Sequence, residues 1–161
     1  MSNSQKVSTC LWFDREGEDA AKLYTSLIAG SRITHVSRYG EGTPIPAGTA
    51  MMTVFELAGT QYMALNGGPM FKHSEAASIV VKCDTQGEID HLWSRLIADG
   101  GGESQCFWLK DRYGLSWQIV PSKLGEWMSG PDKAATGRVF GVMMASVKPV
   151  IAELEAAFAG K

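Results

Sequence analysis

The chain repeats itself. Shifting the 161-residue sequence by 70 positions aligns Ser8 with Ser78, Asp14 with Asp84, Gly17 with Gly87, Glu18 with Glu88, Leu27 with Ile97 and Gly30 with Gly100. A repeat of this length is a supersecondary unit, so it constrains the fold before any motif does. Both copies run in the same order: a short strand, a D-x-x-G-E opening, an amphipathic run and a glycine stop. The expected fold class is therefore α+β, one domain over 1–161 made of two diverged strand-helix-strands units. The first module spans 7–66, the second 77–121, and 122–161 forms a helical tail.

Val7 to Phe13 and Ser78 to Cys83 are rich in β-branched or aromatic residues and read as strands. Ile89, Leu92, Trp93, Leu96 and Ile97 follow the i, i+3, i+4, i+7, i+8 spacing of a helix with one apolar stripe. Thr85 and Glu88 have the form of a capping box, and Gly100 to Gly102 can supply a positive-φ stop. Ala20, Leu23, Tyr24 and Leu27 mark a similar stripe in the first copy. Its further strands are Arg32 to Tyr39, Ala50 to Leu57 and Gln61 to Asn66, with EGTPIPAG as a loop. The second copy shows only Glu103 to Lys110 and Leu115 to Val120, so it reads as one strand shorter. Helices are expected over Leu124 to Met128, Asp132 to about Ser146, and Pro149 to Phe158. Pro149 suits a first turn and Gly160 the stop.

With each helix on one sheet face, the other faces are free to curl around a cleft. Strand alternation assigns Leu11, Phe13, Ile79, Val81, Cys83, Leu115, Trp117 and Ile119 to the helices. It leaves Ser8, Cys10, Trp12, Ser78, Val80, Lys82, Ser116 and Gln118 on the open side. The same phase argument puts Ala64, Asn66, Cys106 and Trp108 there. Apolar walls with a few polar groups suit a small ligand.

Composition narrows the partners. A net charge of −2 offers no basic footprint for nucleic acid or an anionic membrane. No apolar run reaches the 18 or so residues of a membrane span, and MSNSQKVSTC lacks the architecture of a secretion signal. A cytoplasmic location is the expectation. Three cysteines without CxxC spacing support neither a disulfide scaffold nor a structural zinc site.

The stretches LNGGPMFKHSEAASIVVKCDTQGEIDHLW and CFWLKDRYGLSWQIVP resemble the PhnB-like subgroup, often labelled 3-demethylubiquinone methyltransferase-like. That subgroup belongs to the vicinal oxygen chelate superfamily of glyoxalases, bleomycin-resistance proteins and dioxygenases. The resemblance covers about Val7 to Pro121. It implies paired βαβββ modules forming a cup-shaped mixed sheet, usually assembled as a homodimer. In metal-using members His, Glu or Gln occupy four strand positions, which map near Ser8, near Ala64 or Asn66, at Ser78 and at Gln118. Two serines, an amide and an Ala-or-Asn provide neither imidazole nor carboxylate, which first-row divalent metals favour. No cofactor is expected, and any divalent metal would be weakly held.

The candidate substrate-binding residues are Ser8, Trp12, Asn66, Ser78, Cys106, Trp108 and Gln118. Each also has a plain structural reading. Gln118 either contacts a ligand or pins the sheet. Asn66, ahead of Gly67-Gly68, either faces the cleft or starts a turn. Trp12 and Trp108 either stack a planar ligand or fill packing space. Cys106 needs a nearby base or cation to react. His35, His73 and His91 form no ligand spacing and read as exposed or structural, and Lys110-Asp111 reads as a solvent-side pair. The methionines of Val139 to Met144 are either an interface stripe or core.

Two functions from different classes follow. One is a binding protein whose aromatic cleft takes a small organic molecule. The alternative is a metal-dependent lyase, isomerase or dioxygenase, which needs three competent ligands. A literal methyltransferase would need an adenosyl-cofactor site, normally a glycine-rich strand-helix turn in a parallel sheet, and the repeat predicts no such sheet.

Overall fold

A computed structural model describes residues 5–161; the opening stretch on which the absence of a signal was read lies partly outside them. The chain divides into two compact units, the first ending at Lys72 and the second running from His73 to Lys161.

In the first unit, β1 (Thr9–Phe13), α1 (Gly17–Leu27), β2 (Arg32–Arg38), β3 (Ala50–Leu57) and β4 (Thr60–Asn66) form a sheet ordered β1-β4-β3-β2. β1 and β4 are parallel and the remaining pairs antiparallel. The second unit repeats this with β5 (Ser78–Cys83), α2 (Gln86–Ile97), β6 (Gly102–Glu103), β7 (Trp108–Lys110) and β8 (Ser116–Pro121), ordered β5-β8-β7-β6. The duplicated βαβββ reading and the α+β class are thus observed. The repeat extends to single hydrogen bonds. Gly67 N donates to Phe13 O at 3.0 Å, and Ser122 N donates to Cys83 O at 2.8 Å, at matching strand ends.

The second unit is not short of a strand. The run Glu103 to Lys110, read as one strand, is broken into β6 and β7 by a turn in which Cys106 (φ 58°) and Phe107 (φ 70°) are both left-handed. Two consecutive non-glycine residues rarely adopt that conformation. Here their amides are held by the tail: Cys106 N donates to Ser146 O and Phe107 N to Val147 O, each at 2.9 Å.

The helix-facing phase of β1, β5 and β8 is as expected, with Leu11, Phe13, Ile79, Cys83, Trp117 and Ile119 buried. The phase of β4 is the reverse of the expectation. Its parallel register pairs Leu11 with Ala64 and Phe13 with Asn66, so Ala64 and Asn66 point to α1 with their buried neighbours. A Cβ added at Gly17 would meet Asn66 Oδ1 at 2.7 Å and the Ala64 Cβ at 3.1 Å. The open side of this strand instead carries Met63 and Leu65, beside Cys10 and Trp12 of β1.

α2 begins as expected. Thr85 Oγ1 accepts from Glu88 N at 3.2 Å, and Glu88 Oε2 accepts from Asp84 N at 2.9 Å, one residue ahead of the cap. Ile89, Leu92, Trp93 and Leu96 are its buried stripe. The tail forms α3 (Leu124–Ser129), α4 (Lys133–Ala145) and α5 (Ile151–Ala159). Pro149 lies before the α5 N-cap, Val150, rather than in its first turn, while Gly160 stops the helix at φ 75°. Phe107, Trp127, Val139, Leu154 and Ala157 form a separate apolar cluster there, which Met143 joins. Phe140 and Met144 of α4 stay about half exposed, so one methionine of that run is core and the other surface.

Candidate functional site

The open face of the second sheet gathers three of the seven sequence-predicted site residues, Ser78, Trp108 and Gln118. Register pairs Trp108 with Gln118, Lys110 with Ser116 and Ser78 with Ser116, so alternation places all five on one side. Gln118 Nε2 donates to Ser78 Oγ at 2.9 Å. That neutral pair occupies two of the positions to which the sequence resemblance maps metal ligands. Next to it, a cavity of about 450 Å³ runs along β6 and β7, lined among others by Trp108, Lys110, Arg112, Ser116, Glu75 and the backbone of Gly100 to Gly102. That volume suits a small organic molecule. Ser78 and Gln118 share the face but lie outside this lining.

Two expectations about charge change here. Lys110 does not pair with Asp111; it pairs with Glu75, and this bond holds the Glu75 carboxyl below its usual range. Asp111 is not on the solvent side. It is 2% exposed, and its carboxylate accepts from Tyr113 N at 2.9 Å, Leu115 N at 3.1 Å and Trp117 Nε1 at 2.9 Å. It closes the turn between β7 and β8 and fixes the core indole. The D-x-x-G string was the available signal, because an aspartate accepting from amides just ahead of it is a turn device. His73 is half-buried; burial lowers its imidazole below the ordinary range, and the Asp111 charge opposes that shift.

The other predicted residues are placed elsewhere. Ser8 precedes β1 and is part-buried. Trp12 donates Nε1–H to Gly68 O at 2.8 Å and meets Phe71 edge-on at 4.9 Å, so the 67–71 segment packs over its ring. Asn66 is 2% exposed and its amide is fully engaged. Oδ1 accepts from Gly17 N at 2.7 Å, and Nδ2 donates to Arg15 O and Ala50 O, both at 2.9 Å. Cys106 sits in the left-handed turn with Sγ 3.6 Å from Met144 Sδ. Cys83 is buried, and burial, with Glu88 and Asp84 behind it, pushes its thiol up to about 12.

These placements test the metal that the fold would imply. Ser78 and Gln118 bind each other, Ala64 and Asn66 face α1, and Ser8 supplies only a hydroxyl. This donor set does not fit a divalent first-row metal. Among the described residues no three His, Cys, Asp or Glu side chains come together to hold one. No helix among them is long and apolar enough to cross a membrane.

The family described as 3-demethylubiquinone-9 3-methyltransferase matches residues 5–120. Among solved structures, the chain is similar to the PhnB protein of Bacillus cereus, a provisional 3-demethylubiquinone-9 3-methyltransferase. The two share 34% identity over 72% of this chain and 99% of that one, with a TM-score of 0.66. The fold is also that of protein PA1353 from Pseudomonas aeruginosa (19% identity, 73% and 98% covered, TM-score 0.58). It is shared too by the fosfomycin resistance protein FosX from Listeria monocytogenes (15%, 80% and 99%, TM-score 0.55). No curated protein matches the chain. With its duplicated βαβββ units and a matched span running from before β1 into β8, the chain belongs to the 3-demethylubiquinone-9 3-methyltransferase family, a PhnB-like branch of the vicinal oxygen chelate superfamily.

Proposed function

We propose that the protein binds a small organic molecule on the open face of its second sheet, with Trp108 as the contact residue in the cavity wall and the Ser78–Gln118 pair on the same face beside it. The observation that carries this reading is the cavity of about 450 Å³ flanked by Trp108, beside a neutral Ser78–Gln118 pair at two positions to which the resemblance maps metal ligands. An indole offers a flat apolar surface, and a serine–glutamine pair offers orientation without charge. Ser8, Trp12, Asn66 and Cys106 have no part in this proposal, since Trp12 and Asn66 are engaged within the first unit.

Lyase, isomerase or dioxygenase chemistry through a metal has no fitting donor set among the described residues. The methyl transfer in the family's description is likewise not carried over. Neither D-x-x-G-E turn after β1 or β5 is glycine-rich, and among the described residues the only parallel pairs are β1–β4 and β5–β8. In this proposal the two units act as one cytoplasmic domain that pairs with a second copy, for which the half-exposed Phe140 and Met144 of α4 are an apolar face.

Native mass spectrometry near neutral pH without added metal tests this. The expected result is a metal-free dimer whose melting temperature rises with aromatic ligands and not with manganese or zinc. One or two tightly held metal ions per dimer, or tight S-adenosylmethionine binding in calorimetry, would overturn it.

A further inference from the structure

The five indoles divide by what their N–H groups meet. Trp12, Trp93 and Trp117 donate to Gly68 O, Glu103 Oε1 and Asp111 Oδ2 at 2.8, 2.7 and 2.9 Å. Trp108 and Trp127 find no acceptor among the described residues. Trp108 is part-exposed, so its N–H can meet water. Trp127 is only 5% exposed, and an indole buried that far normally has a partner. Its nitrogen is nevertheless not one of the side-chain atoms sealed away unpaired, so it keeps some accessible surface. Trp127 lines a second cavity, of about 200 Å³, between the ends of β5 and β8 and the tail. Cys83, Pro121 and Ile151 complete its apolar walls, and exposed Lys123 and Glu155, paired at 3.7 Å, border it with Asp84. It shares no lining residue with the cavity along β6 and β7.

Size, walls and the unmet donor together select a ligand. An apolar cavity of about 150 Å³ takes a benzene-sized molecule, so this one has room for a ring with a short substituent. An indole N–H can only donate, so that substituent must accept. Two carboxylates against one ammonium at the border give an anion no surplus charge to meet. We infer that this cavity is a second ligand site, taking a small neutral one-ring molecule that bears a hydrogen-bond acceptor, with the Trp127 Nε1–H as its donor. Trp127, Ile151 and Glu155 come from α3 and α5, so the site depends on the tail that lies beyond the family match. It is independent of the ligand face proposed for the second sheet.

The test is a proton–nitrogen correlation spectrum of the full chain near neutral pH. It is titrated with acetophenone, whose carbonyl accepts, and with cumene, of similar shape but without an acceptor. The Trp127 indole signal is identified by its loss in Trp127→Phe. Acetophenone is expected to move that signal downfield, and cumene is not. Trp127→Phe should weaken acetophenone by about two- to tenfold, the value of one neutral hydrogen bond, and change cumene by less than about twofold. Ile151→Phe, which fills the cavity, should remove the binding of both. Equal weakening of the two probes by Trp127→Phe, with no downfield shift in the wild-type chain, would overturn the donor role. Movement of the Trp108 signal alone would assign the probes to the cavity along β6 and β7 and overturn this site, as would no response to either probe.

Discussion

The two units share one topology and differ in how they hold it. In the first, no side chain of the N-cap closes the start of α1; the amide of Asn66, 49 residues away on β4, accepts from Gly17 N instead. In the second, Thr85 and Glu88 close the start of α2 from within four residues. The open faces diverge as well. The centre of the first carries part-exposed Trp12, Met52, Val54, Met63 and Leu65, while the second sets Ser78, Lys110, Ser116 and Gln118 beside Val80 and Trp108. Duplication has kept the backbone and exchanged the range of the contacts. The unit tied together by a distant amide has an apolar centre to its open face, and the unit capped locally mixes polar and apolar groups on its own.

The largest test of this contrast is Asn66→Ala. It strips acceptors or donors from three backbone groups at once and should cost roughly 3–5 kcal/mol in denaturant unfolding. The corresponding loss in the second unit, Thr85→Ala, should cost about 1 kcal/mol, the ordinary value of an N-cap. Equal effects would break the comparison. Between them lies Gly67→Ala. Its Cβ would clash with the Trp12 ring, so about 1–3 kcal/mol of overpacking is expected, with a changed near-ultraviolet circular dichroism signal. Ser122, which makes the matching hydrogen bond in the second unit, already carries a side chain there.

Ser78→Ala should be milder still, within about 1 kcal/mol, because Gln118 is only part-buried and can turn to water. Cysteine titration gives the finest distinction. The Cys83 thiol is raised from 9.0 to about 12, so the folded chain holds this proton more tightly than the unfolded one. Its contribution to stability is complete below pH 9 and is lost as the pH climbs toward 12. At pH 8, iodoacetamide should therefore modify exposed Cys10 and leave Cys83 untouched until the chain unfolds.

Much of this architecture is legible in the sequence because it is local. The 3.6-residue stripe of α2, the Thr85–Glu88 spacing and the alternation of β1, β5 and β8 each draw on neighbours within one element. The reversed phase of β4 was not legible. QYMALN has apolar residues on both faces, and only the parallel register with β1 turns Ala64 and Asn66 toward α1. The break between β6 and β7 left no mark either, since its left-handed residues are cysteine and phenylalanine rather than glycine. At the site, alternation was enough to bring Ser78, Trp108 and Gln118 to one face. The unmet indole N–H of Trp127 was out of reach, because satisfaction of a polar atom depends on distant neighbours.

The hold of the tail on Cys106 and Phe107 bears on what this chain can tolerate. The family match stops at residue 120, before α3 begins. Yet the carbonyls of Ser146 and Val147 are what keep two side-chain-bearing residues at φ 58° and 70°. A version cut after β8 would leave Phe107 uncovered and ask glycine, or a shorter turn, to do the same bending. The last forty residues thus act as a splint that widens the alphabet available at the edge of the second sheet.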